Sequence, residues 1–362
     1  MGCESIVSVD YLKLTSYFAE RERVGSRFLA DSMLDLFAER VVAGSVMLRG
    51  IAGFGHSGFI RTDETLTLSE DPSVAIEAID TAETIGAVAR DVADLTTRGL
   101  ITLERATLLG DDPAAALPDG DGALKLTMNI GRSRRIDGVP AFYAICELLH
   151  RHHFAGVTVL LGVDGTSHGM RRRARFFSRN RDVPLMIVAV GSVANVRQVM
   201  PALAAMPHRP LITSERIQVC KRDGQVVARP TMLPAHDSQG RPLWQKLMVH
   251  TSESTRHDGV PIHRALVRRL WESQATSGAT VLRGIWGFHG DHKPHGDTLI
   301  QFGRQVPVTT IIIDTPQGIA HSFKIVDELT GTHGLVTCET VPALIALSAD
   351  GRHGTSELAD HQ

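Results

Sequence analysis

Four stretches of this 362-residue chain carry residue types and spacings that can do chemistry. The first is a glycine turn at the end of an apolar strand. It occurs as Arg49-Gly50-Ile51-Ala52-Gly53-Phe54-Gly55, as Leu161-Gly162-Val163-Asp164-Gly165 and as Arg283-Gly284-Ile285-Trp286-Gly287-Phe288. Backbone N–H groups in such turns can cradle an anion, and Arg49 or Arg283 can add a bidentate contact to a phosphate. The same glycines would also permit a tight exit from a strand with no ligand at all. Arg49, Gly50, Gly53, Gly55, Gly162, Gly165, Arg283, Gly284 and Gly287 are therefore the candidates for contact with a small effector. The middle copy lacks the arginine, so fewer than three equivalent sites are expected.

The second stretch holds His289, Asp291, His292, His295 and Asp297. Imidazoles and carboxylates at this density can surround a divalent transition metal, so His289, His292 and His295 are the candidate ligands. Gly and Pro interrupt the spacing, so no helix arranges these side chains beforehand; a polar loop is the alternative. The third is the run 170–181, with six arginines and two phenylalanines. It can grip phosphates and stack on bases, or dock on an acidic protein or lipid surface. It can equally be a solvated loop whose charges block strand pairing, and nucleic acid is not the expected partner. The fourth is Gly165-Thr166-Ser167-His168-Gly169, which fits GxSxG. A nucleophile elbow needs a helix after its serine, and here the arginine run follows.

No GxxxxGK[ST], HExxH or metal-type cysteine pair is present. Cys3, Cys146, Cys220 and Cys338 are too scattered for a disulfide scaffold or a zinc site and read as thiols in a reducing cytosol. The formal charge of −2 gives no global pull towards nucleic acid or acidic membranes. No apolar run is long enough to span a bilayer, and the N-terminus lacks a secretory pattern. Met1-Gly2 raises myristoylation, but Ile6 stands where Ser or Thr is required. A cytoplasmic location is the expectation.

What positions these stretches is a repeat. The strand before each glycine turn starts at Gly44, Gly156 and Gly278, spaced 112 and 122 apart. A second anchor, GLITLE, RPLITSE and GLVTCE, ends on Glu104, Glu215 and Glu339. A third opens each copy as LKLTSYF (12–18), LKLTMNI (124–130) and KLMVHTS (246–252); copies two and three also share DGVP at 137–140 and 258–261. Three modules follow, at 11–109, 123–220 and 243–345. Linkers fall at 110–122 and 221–242, and the tails are 1–10 and 346–362, the second polar and frayed.

Within the first module Leu12–Thr15 alternates as a half-buried strand does. Ser26 can cap a helix with Phe28, Leu29, Met33, Leu36 and Phe37 on one face. Val74–Ile79 reads as a strand, and Thr81 can cap a second helix striped by Ile85, Val88, Val92 and Leu95. Leu100–Leu108 is the last strand. The predicted class is α+β, a ferredoxin-like βαββαβ module in three tandem copies. Helices on one face of each sheet leave the other face to be covered, and a neighbouring copy is the natural cover.

The RGI-x-GF-G turns at 49–55 and 283–288, with the later GLITLE-like strand, resemble a PII-like family known as domain of unknown function 190. The middle copy, Leu161-Gly162-Val163-Asp164-Gly165, keeps the glycines but loses the Arg and the Phe. The resemblance implies a ferredoxin-like fold. The wider PII group forms trimers, binds small effectors such as adenine nucleotides between subunits, and moves a long loop after the second strand. Three modules in one chain can then form an intrachain pseudo-trimer; the 13-residue first linker spans up to about 43 Å when extended.

The expectation is a sensor or adaptor rather than an enzyme. A small-molecule effector would bind between modules and bias the loops at 50–64, 162–180 and 284–298, which a protein partner, a membrane transporter or an enzyme, would read. A metal-binding protein built on the histidines of module three is the alternative, and an enzyme of unrecognised type is another.

Overall fold

The computed structural model describes residues 10–55, 60–62, 71–110, 116–173, 183–207, 210–274, 276–290, 293–296 and 306–360. The first module runs β1 (Tyr11–Ala19), α1 (Leu29–Glu39), β2 (Gly44–Phe54), β3 (Ser73–Thr81), α2 (Ala82–Leu95) and β4 (Gly99–Leu108). The second runs β5 (Ala123–Gly131), α3 (Ala141–Arg151), β6 (Gly156–Leu161) with its continuation β7 (Asp164–Ser167), β8 (Pro184–Ser192), α4 (Val193–Ala204) and β9 (Leu211–Arg222). The third runs β10 (Trp244–Ser252), α5 (Ile262–Ser273), β11 (Ala279–His289), β12 (Pro307–Asp314), α6 (Pro316–Thr330), β13 (Leu335–Val341), β14 (Ala343–Ser348) and β15 (Gly351–Thr355).

Local chemistry explains the helix starts. Thr81, Ser192 and Thr315 each accept an N–H from the first turn of the second helix in their module, satisfying a donor that has no partner inside the helix. The first helices start differently. Ser26 does not cap α1; Phe28 precedes it without a side-chain cap, and Ser26 lies between the paired dipeptides Arg23–Val24 and Arg27–Phe28. In the other modules the same hairpin turns on Asp137-Gly138 and Asp258-Gly259, all four residues at positive φ, which accounts for the shared DGVP.

Each module pairs its strands antiparallel in one spatial order: β4-β1-β3-β2, β9-β5-β8-β6 and β13-β10-β12-β11. The sheets are not separate units, however. The start of β2 pairs with β7, β6 pairs with the end of β11, and the start of β11 pairs with the end of β2. The fourth strands repeat the cycle: the end of β4 meets β9, the end of β9 meets β13, and β14 meets the start of β4. Both edges of every module are thereby bonded to its two neighbours, and the ring closes within one chain. Among the described residues, closure pairs both edge strands of each module, which would otherwise template association.

Each helical layer covers its own core. A fourth core lies between the opposite faces of the three sheets. It contains Val46 and Leu48 from module one, Leu160 and Val188 from module two, and Leu282 and Ile311 from module three. The uncovered faces are therefore buried against one another.

Two boundaries differ from the sequence reading. The tail is not frayed: β14 and β15 form a hairpin, and Ala359 is fully buried. The second linker is partly structural, because β9 extends to Arg222 and Leu233 is buried. Leu12–Thr15 is buried on both faces rather than one, since its polar residues face the axis.

Candidate functional site

Lys13, Lys125 and Lys246 occupy one register position on the first strands of the modules, and Glu104, Glu215 and Glu339 one position on the last. None is more than 7 % exposed. Strand alternation sends Leu12 and Leu14 towards the helices and Lys13 towards the axis. There the six charges alternate around a ring. Lys13 reaches Glu104 at 3.3 Å and Glu215 at 3.0 Å. Lys125 reaches Glu215 at 3.5 Å and also Glu339. Lys246 reaches Glu339 at 2.8 Å and also Glu104. Every lysine thus bridges its own module's glutamate and the next module's.

Burial alone would pull each amine down, because desolvation disfavours the charged form. At Lys13 and Lys246 burial opposes the flanking glutamates and is outweighed, so both amines are held above their ordinary value. At Lys125 burial wins and the amine is lowered. Glu104 and Glu339 are raised by burial but lowered overall by the lysines. Glu77 breaks the symmetry. It lies 4.0 Å from Lys13, and the matching positions are Val188 and Ile311. Burial, opposed by Lys13, raises its carboxyl. With Thr15, Thr127 and the three lysines it lines an axial cavity of about 40 Å³.

The glycines explain how the seams close. A Cβ on Gly53 would stand 2.5 Å from the Ala279 carbonyl oxygen, on Gly165 2.3 Å from that of Ser45, and on Gly287 2.0 Å from that of Val157. These contacts cross from one module to another, so the glycines let neighbouring strands approach. Gly50, Gly162 and Gly284 are similarly crowded, with backbone oxygens at 2.9, 2.8 and 3.1 Å from such a Cβ. Arg49 is paired with Glu20, its Nε donating at 2.9 Å, and Arg283 is paired with Glu253. In module two both positions change together, to Leu161 and Arg132.

One seam departs from the other two. Leu211 closes on Gly44, with 3.1 Å to a Cβ placed there, and Leu335 closes on Gly156 at 3.0 Å. The equivalent of those leucines is Leu100, facing Gly278. Around Gly278 the nearest atoms belong instead to the backbone of Phe54 and Gly55. Leu100 lines a cleft of about 710 Å³ between modules one and three. Its apolar wall includes Tyr17, Phe18, Trp244, Ile313 and Leu344; its polar rim includes Arg61, Arg98, His353, Glu22, Asp71 and Asp350. Tyr17 also borders the axial cavity and so separates the cleft from the charged ring.

Of the nine effector-contact candidates, the structure places Gly53 and Gly55 on this cleft. The others lie along seams or in ion pairs. His289 ends β11, and His295 pairs with Gly287, its Nδ1 donating to the Lys293 carbonyl at 2.8 Å. His292 and most of the arginine run lie outside the described residues. Among the described residues, no three His, Cys, Asp or Glu side chains gather as metal ligands. Arg171 meets Asp164, Asp31 and Asp35, and Arg173 meets Asp31. This part of the run clamps module two onto helix α1 of module one. Ser167 is followed by a hairpin, not by a helix.

Sequence reasoning missed the charged ring and the open seam. The ring had a signal: a lysine and a glutamate recur at fixed register in all three copies. The open seam had none, because leucine and glycine are present in every copy.

No helix among the described residues is long and apolar enough to cross a membrane. The profile of an uncharacterised family, described as Uncharacterized ACR and as domain of unknown function 190, matches residues 11–108, 123–219 and 244–343. The UPF0166 protein of Aquifex aeolicus (strain VF5) is 32 % identical over 99 residues, 27 % of this chain and 90 % of that protein. Among solved structures, a protein assigned as a glycine cleavage system transcriptional repressor aligns at 10 % identity over 62 % of this chain and 99 % of its own, with a TM-score of 0.18. An unknown protein from Galdieria sulphuraria aligns at 9 % identity over 61 % of this chain and 98 % of its own, also at 0.18. Likenesses at that level carry no argument.

Proposed function

We propose a function from one premise: the chain belongs to the family known as domain of unknown function 190 and carries three copies of its module. The reading is a PII-like sensor or adaptor, not an enzyme, that binds a small effector in the open seam and passes its state to a protein partner. The observation that carries it is the break in threefold repetition. Leu211 and Leu335 fill two seams, and Leu100 leaves the third hollow. The cleft volume lies within the range of about 300–1,000 Å³ usual for small-molecule sites, and a largely apolar wall with a few polar groups fits the same type. The aromatic wall suits a flat ring such as adenine.

Only one seam is offered as a site, which agrees with the advantage of fusing three modules: tethered copies can diverge where identical subunits cannot. Adenine nucleotides are the first effectors to test, by thermal unfolding of the full chain. A ligand at 100 times its dissociation constant stabilises the fold by about 2.7 kcal/mol. Ala346→Trp, which would fill the cleft from its wall, should abolish the shift without lowering the unliganded midpoint by more than a few degrees. A shift that persists in A346W would place the effector elsewhere.

A further inference from the structure

We infer that the open seam selects a flat aromatic molecule bearing a single anionic group and rejects a polyphosphate. The inference rests on the reading of this cleft as the effector site and adds the ligand's charge. Three observations support it. Of the glycines on the cleft, Gly53 sits inside the ladder between Thr280 and Arg61. Neither Gly53, Gly55 nor Gly278 has positive φ, so among the described residues these glycines form no turn of inward N–H groups to wrap a phosphate chain. Among the described residues the charged rim is close to balance, with carboxylates Glu22, Asp71 and Asp350 facing Arg61 and Arg98.

The details sharpen the balance. Glu22 accepts the Thr97 hydroxyl at 2.8 Å, and Asp71 accepts the Arg21 amide N–H at 2.7 Å, so both stay fixed at the mouth. Arg61 and Arg98 make no ion pair among the described residues. One arginine can bind one anionic group bidentately. Further phosphates would have to extend past three carboxylates, where like charges repel. The aromatic and aliphatic wall meanwhile contributes to binding in proportion to the apolar area it covers.

The test is direct binding to the full chain, without magnesium, of AMP, ATP, adenosine and indole-3-acetate. AMP and indole-3-acetate separate a phosphate from a carboxylate as the anionic group. At least one of these two should bind about 10-fold tighter than both adenosine and ATP. Arg98→Ala should weaken that probe about 10-fold and leave adenosine unchanged. Asp350→Asn, on the exposed rim, should narrow the gap between ATP and AMP. If ATP binds more tightly than AMP, or affinity rises with each phosphate, the charge inference is overturned while the cleft remains the effector site. If all four probes fail to bind, the inference and the reading beneath it fall together.

Discussion

Lys246 of the third module donates a hydrogen bond to Glu104 of the first, across 142 positions of sequence and away from solvent. It closes a ring of six buried charges that links each module to both neighbours. A buried ion pair repays its desolvation only when each partner is present.

Removing one member should therefore cost far more than removing a pair. Lys246→Met leaves Glu104 and Glu339 short of a counter-charge, and a loss of about 3–5 kcal/mol is expected. Adding Glu104→Leu should recover a large part of it. Denaturant midpoints for the two single variants and the double variant check this. Additive losses would mean that the ring does not act as a unit.

Glu77 is the odd charge. A raised carboxyl pKa means that the folded chain holds this proton more tightly than the unfolded chain does. Stability is then highest below the unfolded carboxylate value of about 4.3 and falls as pH rises through the folded value. At neutral pH Glu77 costs stability. Glu77→Gln, or Glu77→Val after the residue found in module two, should raise the unfolding midpoint at pH 7 and lose that advantage near pH 4. An unchanged or lower midpoint at pH 7 for both variants would refute it.

His250 predicts an acid limb of its own. Burial, aided by His289 and Lys125 and opposed by Glu339, lowers its imidazole to about 4. The unfolded state takes up the proton first, so stability present above about pH 6.5 is lost as pH falls towards 4. The loss is on the order of 3 kcal/mol. Glu104 and Glu339, held low in the fold, lose their contribution only below about pH 4.3, so the two windows are separable. His250→Gln should flatten the curve between pH 6.5 and 4.5 and leave the steeper fall below it. An identical curve for the variant would assign that limb to other groups.

The sequence made the modules legible because periodicity and turn chemistry are local. Thr81 as a cap, Val74–Ile79 as a strand and the stripe Ile85, Val88, Val92 are each decided within a few residues. The cover for the second sheet face was legible too, since a sheet cannot leave an apolar face in water. Lys13 was not, because alternation alone does not say which face of a strand meets solvent. A lysine between two leucines reads as outward-facing unless its counter-charge is known, and Glu215 lies 202 positions away. Arg49 and Arg283 attracted a ligand reading for the same reason: their partners Glu20 and Glu253 lie on another strand's exit.

That pairing makes a weak-effect prediction. Arg49 is more than half exposed, and exposed ion pairs contribute about 0–1 kcal/mol. Arg49→Ala should shift the denaturant midpoint little and leave effector binding in the open seam intact. Complete loss of binding would return Arg49 to the site.

The seam glycines should show the opposite behaviour. Gly287 has φ of 152°, and a Cβ there would stand 2.0 Å from the Val157 carbonyl oxygen. Backbone cannot yield as a flexible side chain can, so Gly287→Ala must push β6 and β11 apart. Gly165→Ala should separate β7 from β2 in the same way. Each is expected to cost more than about 2 kcal/mol, whereas Gly86→Ala, in open space on helix α2, should stabilise by about 0.5–1 kcal/mol. Limited proteolysis and denaturant midpoints of the three variants check the ordering. Seam variants as stable as the wild type would show that the strands between modules are not held at this spacing.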